Sequence, residues 1–359
     1  LGFAQATAPL GGYAPVLGVY GASFFCVLVA VLVLIILGPW RRLGARLSAF
    51  AGMLAIFALG IGLGHVAWTH PSGPPFKISL VQSNIAQTVK WEPEMLAPTL
   101  KLYKRLTRAH WSSDVIVWPE DAVPIWYGMA QPLLADIEAE AHKRGVALVF
   151  GAPLLGEGEA SYPAVLSLSP RPAAYLKRHL VPFGEYFPVP DWIKSWLAAR
   201  SLPYSSFTPG PWQQPPLGIG KWHATVALCY EVAFGRLVIT QLPAADFILN
   251  PSDDGWFGRS IALPQQFQMA QLAARETGRF LATATDDGVT GIIGPRGGVR
   301  ARLPSYTTGV LTGRITPYAG ATPYVRWGNW FIAILCTALL VLGVGFALLY
   351  KARRESESG

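Results

Sequence analysis

The chain has 359 residues, which is enough for one large domain or two ordinary ones. It is 52% hydrophobic and only 14% charged, a composition that excludes an ordinary soluble protein. The formal net charge of +8 favours a domain that faces anionic lipid. No basic stripe or nucleic-acid motif accompanies this charge, so we expect no nucleic-acid partner.

The apolar excess is concentrated in three runs of about 20 residues, the length at which a helix crosses the hydrocarbon layer of a bilayer. These runs predict transmembrane helices over residues 13–38, 47–68 and 327–350. Buried core helices are the alternative, but the length of the runs and their near absence of charge argue against it. Because the chain opens on Leu1 without an initiator methionine, we expect residues 1–70 to be the C-terminal part of a larger membrane bundle.

Positive residues flank these helices and predict their orientation. The two clusters are Arg41, Arg42 and Arg46 between the first two runs, and Lys351, Arg353 and Arg354 after the third. Positive residues beside helix ends stay in the cytoplasm. We therefore expect a cytoplasmic tail over residues 351–359 and an extracytoplasmic domain over residues 71–326.

The outer domain alternates between strand patterns and helix patterns. Apolar alternation and short apolar runs predict strands over 76–82, 114–118, 146–149, 164–168, 173–176, 224–228, 246–249, 280–285, 291–293 and 310–315. Helical spacing predicts helices over 92–110, 131–144, 233–242 and 263–278, with a short amphipathic stretch over 194–202. Strands that alternate with helices indicate an α/β domain with layered sheets.

Three polar side chains follow directly on apolar strands of this domain. They are Glu120, Lys177 and Cys229, and Cys229 is the only cysteine of the outer domain, since Cys26 and Cys336 lie in predicted membrane helices. A thiol needs a base to become a nucleophile, a carboxylate can be that base, and a lysine can stabilise an oxyanion. On spacing alone the alternative remains a core cysteine, with Glu120 and Lys177 as surface charges or as an ion pair.

Three sequence blocks carry a family resemblance. Residues 117–120 read VWPE, residues 177–186 read KRHLVPFGEY and residues 228–231 read LCYE, in an order that resembles the signature blocks of the nitrilase superfamily. With the flanking apolar runs, residues 14–21 (APVLGVYG) and residues 80–85 (LVQSNI), the whole chain resembles the apolipoprotein N-acyltransferase family, a membrane-anchored branch of that superfamily. The resemblance implies an α-β-β-α sandwich domain tethered by transmembrane helices at both ends.

The resemblance also implies a site and a reaction. It implies Glu120 as general base, Lys177 as the oxyanion-stabilising residue and Cys229 as nucleophile. The supporting residues that it implies are Glu185, Tyr230, Glu231 and Trp91. The implied reaction is ping-pong transfer of an acyl chain from a glycerophospholipid, through a thioester on Cys229, to the α-amino group of a diacylated apolipoprotein. The implied location is the bacterial inner membrane, with the catalytic domain in the periplasm. No cofactor or metal is expected, because the donor is already an ester and no phosphate-cradling loop is present.

Some assignments stay open. Glu185 can instead cap a helix or bond backbone amides, Tyr230 can simply pack, and Trp91 can be a plain core or lid aromatic. The chain departs from the family pattern where asparagine is usual, at Asp253, Asp286 and Asp287, and where histidine is frequent, at Gln265 and Gln266. These departures concern donor binding and lid details.

Two other functions compete with acyl transfer. One is a membrane-anchored nitrilase-type amidohydrolase, in which water resolves the thioester, and the other is a non-catalytic module that supports a partner enzyme. The loops also carry aromatic residues that can either enter the bilayer interface or cap the domain's own core: Trp126, Tyr127, Trp192, Trp196, Tyr204, Phe207, Trp256 and Phe257.

Overall fold

The computed structural model describes residues 1–38, 42–158, 160–168, 172–190, 193 and 206–357. Several positions discussed above lie outside the described residues: Arg41, Trp192, Trp196, Tyr204, the stretch 194–202 and the side chain of Arg354. The helices of the described part are α1 (Ala14–Leu37), α2 (Leu43–His65), α3 (Gln87–Lys90), α4 (Pro93–Arg108), α5 (Tyr127–Arg144), α6 (Gly235–Val238), α7 (Ala262–Thr277), α8 (Pro323–Trp327) and α9 (Trp330–Glu357).

The strands form two six-stranded sheets and a two-stranded ribbon. The first sheet has the order β13-β2-β3-β4-β5-β6, with β13 (Gly309–Ile315), β2 (Phe76–Gln82), β3 (Val115–Val117), β4 (Ala147–Leu155), β5 (Ser161–Leu168) and β6 (Ala173–Leu176). The second has the order β12-β11-β10-β9-β8-β7, with β12 (Val299–Arg302), β11 (Gly291–Ile293), β10 (Leu281–Thr285), β9 (Phe247–Ser252), β8 (Trp222–Val226) and β7 (Leu217–Ile219). The ribbon pairs β1 (Thr69–Pro71) with β14 (Tyr318–Gly320) in antiparallel fashion.

The two sheets pack face to face because their strands alternate as the sequence predicts. In β2, Ile78 and Leu80 enter the core between the sheets, whereas Val81 belongs to the core on the outer face. That outer face is covered by α4 and α5, and α7 covers the outer face of the second sheet. The layers are therefore helix, sheet, sheet, helix, and the predicted α-β-β-α sandwich is confirmed.

Within each sheet, three neighbouring strands run parallel. They are β2, β3 and β4 in the first sheet and β8, β9 and β10 in the second. Parallel strands end at a common edge, where ligands bind in open α/β sheets. Glu120 follows β3 and Cys229 follows β8, so both sheets contribute chemistry from the ends of parallel strands.

In the described part of the chain, three helices are long and apolar enough to cross a membrane: residues Pro9–Leu37, Leu43–His65 and Trp330–Lys351. The second begins at Leu43, four residues before the predicted start, because the chain becomes helical directly after the extended Arg42. The third continues to Glu357, so part of the stretch predicted as a tail is helical.

The first membrane helix is joined to the outer domain through a kink. Gly18 has φ 65° and ψ −167° inside α1. A Cβ at this position would lie 2.4 Å from the ring of Tyr324 in α8, so only glycine suits both the backbone and the contact. Ala14 and Leu272 pack together nearby, which ties α1 to α7 as well.

Each of the ten predicted strands overlaps an observed strand. The predicted helix over 233–242 is wrong as one element. The chain forms short pieces there, Cys229–Ala233, Gly235–Val238 and Ile239–Gln241, since Phe234 has the non-helical angles φ −102° and ψ 80°. The sequence also missed β1, β7, β12 and β14, which have only three or four residues.

Candidate active site

A cavity of about 580 Å³ opens where the two sheets end, and most of the predicted site residues line it. The predicted residues in its lining are Trp91, Glu120, Lys177, Glu185, Cys229 and Tyr230. Glu231 is the exception, because it is fully buried behind this wall. The structure thus brings together six side chains from four separate stretches of sequence.

Lys177 lies between two carboxylates. Its Nζ donates to Glu120 Oε1 at 2.9 Å and to Glu185 Oε1 at 2.5 Å. Glu185 is held in turn, because its Oε2 accepts a hydrogen bond from the backbone N–H of Val181 at 2.8 Å. Lys177 and Glu120 are only 1% and 4% exposed, so this is a buried ion pair and not a pair of surface charges.

Cys229 stands on a strained turn immediately after β8. Its φ is 54°, in the left-handed region that a side chain rarely adopts without support. Asn250 supplies that support, because its Nδ2 donates to the carbonyls of Ala227 at 2.6 Å and Cys229 at 2.9 Å. Thr283 fixes Asn250 by donating to its Oδ1 at 3.1 Å. The sequence singled out Cys229 but gave no sign of these two supports.

The electrostatics of this cavity suit proton transfer. Desolvation raises the pKa of the Cys229 thiol well above its usual value, and the Glu120 carboxylate adds to this effect, so the resting thiol is neutral. Desolvation also raises the pKa of Glu120, although Lys177 opposes the shift. Desolvation works to lower the pKa of Lys177, but the carboxylates of Glu120 and Glu185 raise it by more, so the ammonium stays charged. The cavity therefore holds a neutral thiol, a carboxylate of enhanced basicity and a fixed positive charge.

Glu231 fastens the nucleophile's loop to the lysine's loop. Its Oε1 accepts from the backbone N–H groups of Arg178 at 2.7 Å and His179 at 2.9 Å. Its Oε2 accepts from Leu228 N and from the Tyr175 hydroxyl, both at 2.8 Å. With four donors on one carboxylate and no exposed surface, Glu231 acts as a positioning residue behind the cavity wall.

Arg178 supports the same wall, and the sequence missed it. Its guanidinium donates to the Tyr175 hydroxyl at 2.8 Å, to Thr240 Oγ1 at 2.6 Å and to the Leu237 carbonyl at 3.0 Å. It follows Lys177 directly, but its partners lie on other elements, so spacing could not reveal its role. The hydroxyl of Tyr230 donates to the Leu180 carbonyl at 2.9 Å and faces the same loop.

Some of the loop aromatics are exposed at the mouth of the cavity, and others pack within the domain. Trp91, Trp256 and Phe257 line the cavity and are 44%, 64% and 42% exposed. Trp126 contacts Phe207 with ring centroids 6.3 Å apart, which is a contact within the domain. Tyr127, the first residue of α5, packs against the core beneath that helix. The mouth of the cavity is therefore aromatic and open.

Comparison with known proteins identifies the family. Residues 77–324 match the carbon-nitrogen hydrolase family. Over 362 residues the chain is 38% identical to apolipoprotein N-acyltransferase of Methylococcus capsulatus, covering 100% of this chain and 70% of that protein. Over 356 residues it is 40% identical to apolipoprotein N-acyltransferase of Pseudomonas syringae pv. tomato, covering 97% and 69%. The chain belongs to the apolipoprotein N-acyltransferase family.

Solved structures of more distant proteins agree on the fold of this family member. The C. elegans NitFhit protein superposes with a TM-score of 0.51 at 14% identity, over 73% of this chain and 64% of that one. Nit3 of Saccharomyces cerevisiae, a member of the nitrilase superfamily, gives a TM-score of 0.50 at 16% identity, over 68% and 90%. At these identities the likeness concerns the fold alone.

A buried ion cluster includes Asp253 and Asp286, two positions at which the family resemblance led us to expect asparagine. Lys90, which the sequence analysis missed, is 1% exposed and forms ion pairs with Asp253, at 2.6 Å, and with Asp286. The backbone N–H of Asp253 donates to Glu120 Oε2 at 3.1 Å. Desolvation raises the pKa of Asp286 to about 6, and Lys90 opposes the shift. The departures from the pattern therefore form an ion cluster that contacts the candidate base.

The other departures are Gln265, Gln266 and Asp287, and Gln266 contacts Asp254, a residue that fits the pattern. Asp254 Oδ1 accepts from Ser252 Oγ at 2.6 Å and from Gln266 Nε2 at 2.9 Å. Desolvation raises the pKa of Asp254 to about 7. Gln265 is exposed, and Asp287, whose pKa is raised by desolvation, is mostly buried.

Proposed function

We propose that this protein is a phospholipid:apolipoprotein N-acyltransferase of the bacterial inner membrane, with its catalytic domain in the periplasm. The observation that carries the proposal is the neutral Cys229 thiol in one cavity with the Glu120–Lys177–Glu185 ion chain. The names of the curated relatives, which come from bacteria, and the carbon-nitrogen hydrolase match support N-acylation of lipoproteins. The three apolar helices support a multi-pass membrane location.

The first half-reaction is formation of a thioester. Glu120 takes the thiol proton as Cys229 Sγ attacks the ester carbonyl carbon of a glycerophospholipid. Lys177 stabilises the resulting oxyanion through the N–H that is not used by the two carboxylates. The C–O bond then breaks, Glu120 returns the proton to the leaving oxygen, and a lysophospholipid departs.

The second half-reaction transfers the acyl chain. The neutral α-amino group of a diacylated apolipoprotein attacks the thioester carbonyl, Glu120 takes the proton from the nitrogen, and the C–S bond breaks. An amide forms, and Glu120 returns its proton to the departing sulfur, which regenerates the Cys229 thiol and the Glu120 carboxylate. Both substrates are anchored in the bilayer, and the exposed Trp91, Trp256 and Phe257 give them an apolar entrance.

Two mass measurements test the proposal. Purified protein in detergent, exposed to phospholipid alone, is expected to gain one acyl chain on Cys229, and the Cys229→Ala variant is expected to gain none. Addition of a diacylated lipopeptide is expected to move that mass to the peptide. Free fatty acid with an unmodified peptide would indicate the amidohydrolase alternative. If the Cys229→Ala variant supports full lipoprotein acylation in cells, Cys229 is not the nucleophile and the mechanism fails.

A further inference from the structure

A second cavity, of about 410 Å³, lies at the junction of the membrane helices and the outer domain. Its upper wall is the end of α2, with Leu63 and Gly64, and its floor is the β1–β14 ribbon. The C-terminal end of α7 contributes Arg275, and the β11–β12 hairpin contributes Arg296 and Arg300. It shares no lining residue with the active-site cavity. Any ligand here occupies a separate site.

The charges in this lining are all of one sign. Arg275, Arg296 and Arg300 are part of it, and the described residues of the lining include no aspartate or glutamate. Within the described part of the chain, none of the three arginines forms an ion pair with a carboxylate. Three uncompensated guanidinium groups around one cavity make an anion the favoured occupant.

Two buried donors in the lining have no partner. Arg275 Nε and the indole Nε1 of Trp68 are both buried without a hydrogen bond. Arg275 is held in place, because its Nη1 donates to the carbonyls of Ala6 at 2.9 Å and Ala8 at 3.3 Å. Buried donors of this kind are rare in folded proteins unless a ligand or water accepts from them. Water satisfies the donors of the exposed arginines, whereas these two buried donors need an acceptor that the described residues do not supply.

Glycine makes room for the guanidinium at the helix end. A Cβ at Gly64 would lie 2.7 Å from Arg275 Nη2. Arg275 is therefore adjacent to the last turn of α2, where the chain leaves the apolar helix. Trp68, three residues after His65, is a residue type that prefers the membrane interface. The cavity thus lies at the end of an apolar helix long enough to cross a membrane, with Leu63 and Pro15 as its apolar edge.

We propose that this cavity binds the phosphodiester of an anionic glycerophospholipid as a non-reacting lipid that joins the membrane helices to the outer domain. The phosphate oxygens accept from Arg275, Arg296, Arg300 and the Trp68 indole, and the acyl chains follow the apolar surface of α2. Free phosphate has the same acceptor chemistry, but only the lipid also uses the apolar edge.

Native mass spectrometry of the full chain in detergent tests the proposal, with dioleoylphosphatidylglycerol as the probe and dioleoylphosphatidylcholine as the comparison lipid. The double variant Arg296→Gln, Arg300→Gln is expected to weaken retention of phosphatidylglycerol about tenfold, since two charge-assisted contacts are lost. The matched control is Arg302→Gln, Arg314→Gln, which removes two exposed charges outside the cavity and should change retention by less than about twofold.

Three outcomes would overturn the proposal. The first is an equal decrease of phosphatidylglycerol retention in both double variants, which would indicate that the lipid is attracted by net charge alone. The second is retention that does not depend on Arg296 and Arg300. The third is a thermal shift produced by inorganic phosphate that phosphatidylglycerol fails to reproduce, which would assign the cavity to a soluble phosphate. The Cys229→Ala variant is expected to retain this lipid fully, so failure here and failure of the catalytic proposal are distinguishable.

Discussion

At the scale of single residues, the site depends on groups that are costly to bury. Cys229 has a left-handed backbone, and Lys177 lies between two carboxylates. Apolar side chains of similar volume at these positions would stabilise the fold at least as well. Asn250 and Glu231, each fully or almost fully buried, hold these groups in place through backbone hydrogen bonds. A strained backbone that buried side chains support in this way is typical of a functional site.

The raised pKa of Glu120 predicts the acidic limb of the pH profile. The base acts when ionised, so kcat/KM for acyl transfer is expected to rise with pH through a midpoint above the usual glutamate value. The Glu185 carboxylate contributes to this elevation, so Glu185→Gln is expected to move the midpoint to lower pH. Glu120→Gln is expected to lower kcat by about 10²- to 10⁴-fold at every pH. A midpoint that stays unchanged in Glu185→Gln would contradict this coupling.

Asp254 gives a separate prediction for stability. Its pKa is raised from 3.8 to about 7 in the folded protein, so the unfolded state loses its proton first. Wild-type stability should therefore fall as pH rises from about 4 to about 7, by at most about 4 kcal/mol at about 1.4 kcal/mol per pKa unit. Asp254→Asn keeps an acceptor for Ser252 and should lose less stability over this range. Thermal unfolding of both proteins at pH 5 and pH 8 measures these stability losses. Equal losses in the wild type and in Asp254→Asn would contradict the prediction.

At the scale of elements, the sequence predicted those whose residues repeat a pattern. The alternation in β2 and the apolar run before Cys229 indicated strands, and both are present. The missed strands β7 and β12 lack an apolar run, because Gly218 interrupts β7 and β12 is mostly exposed, with Arg300 and Arg302. Lys90 was missed for another reason, since its partners Asp253 and Asp286 belong to other parts of the chain.

The Lys90 cluster joins the last residue of α3, which precedes Trp91, to the loops after β9 and β10. Lys90→Met leaves two buried carboxylates unpaired and is expected to destabilise the protein by about 3–5 kcal/mol. The triple variant Lys90→Met, Asp253→Asn, Asp286→Asn is expected to recover most of this loss, because the charges disappear together. Thermal unfolding and kcat with a diacylated lipopeptide measure the recovery.

A surface ion pair provides the control for that cluster. Lys104 pairs with the half-exposed Asp136 at 2.5 Å, and Lys104→Met should cost less than about 1 kcal/mol. If the triple variant is as unstable as Lys90→Met alone, uncompensated charge is not the cause of the loss.

At the scale of the whole molecule, the layers and the membrane helices were predictable, because apolar length and strand alternation both act locally along the chain. The contacts between the membrane helices and the domain were not predictable, because they join residues far apart in sequence, such as Gly18 and Tyr324. The Arg275 cavity escaped prediction for the same reason, since its walls come from five separate stretches.

Gly18 tests this junction. Gly18→Val must adopt a positive φ and meet the Tyr324 ring, so it is expected to destabilise the protein by about 2–3 kcal/mol or to separate α1 from the domain. Gly62→Val, in α2, has no atom within 4 Å of the new Cβ and should have little effect. Thermal unfolding and limited proteolysis of both variants measure the contrast, and similar behaviour would contradict the role of Gly18.

The burial of Cys229 also affects how fast its thiol reacts with oxidants. Thiols react with peroxide, disulfides and alkylating reagents as thiolates, so a thiol with a raised pKa reacts slowly. In the periplasmic location that we propose, where disulfides form readily, a slowly reacting thiol protects an unpaired cysteine from oxidation. The desolvation that makes the proposed nucleophile depend on a base therefore also keeps the resting thiol reduced.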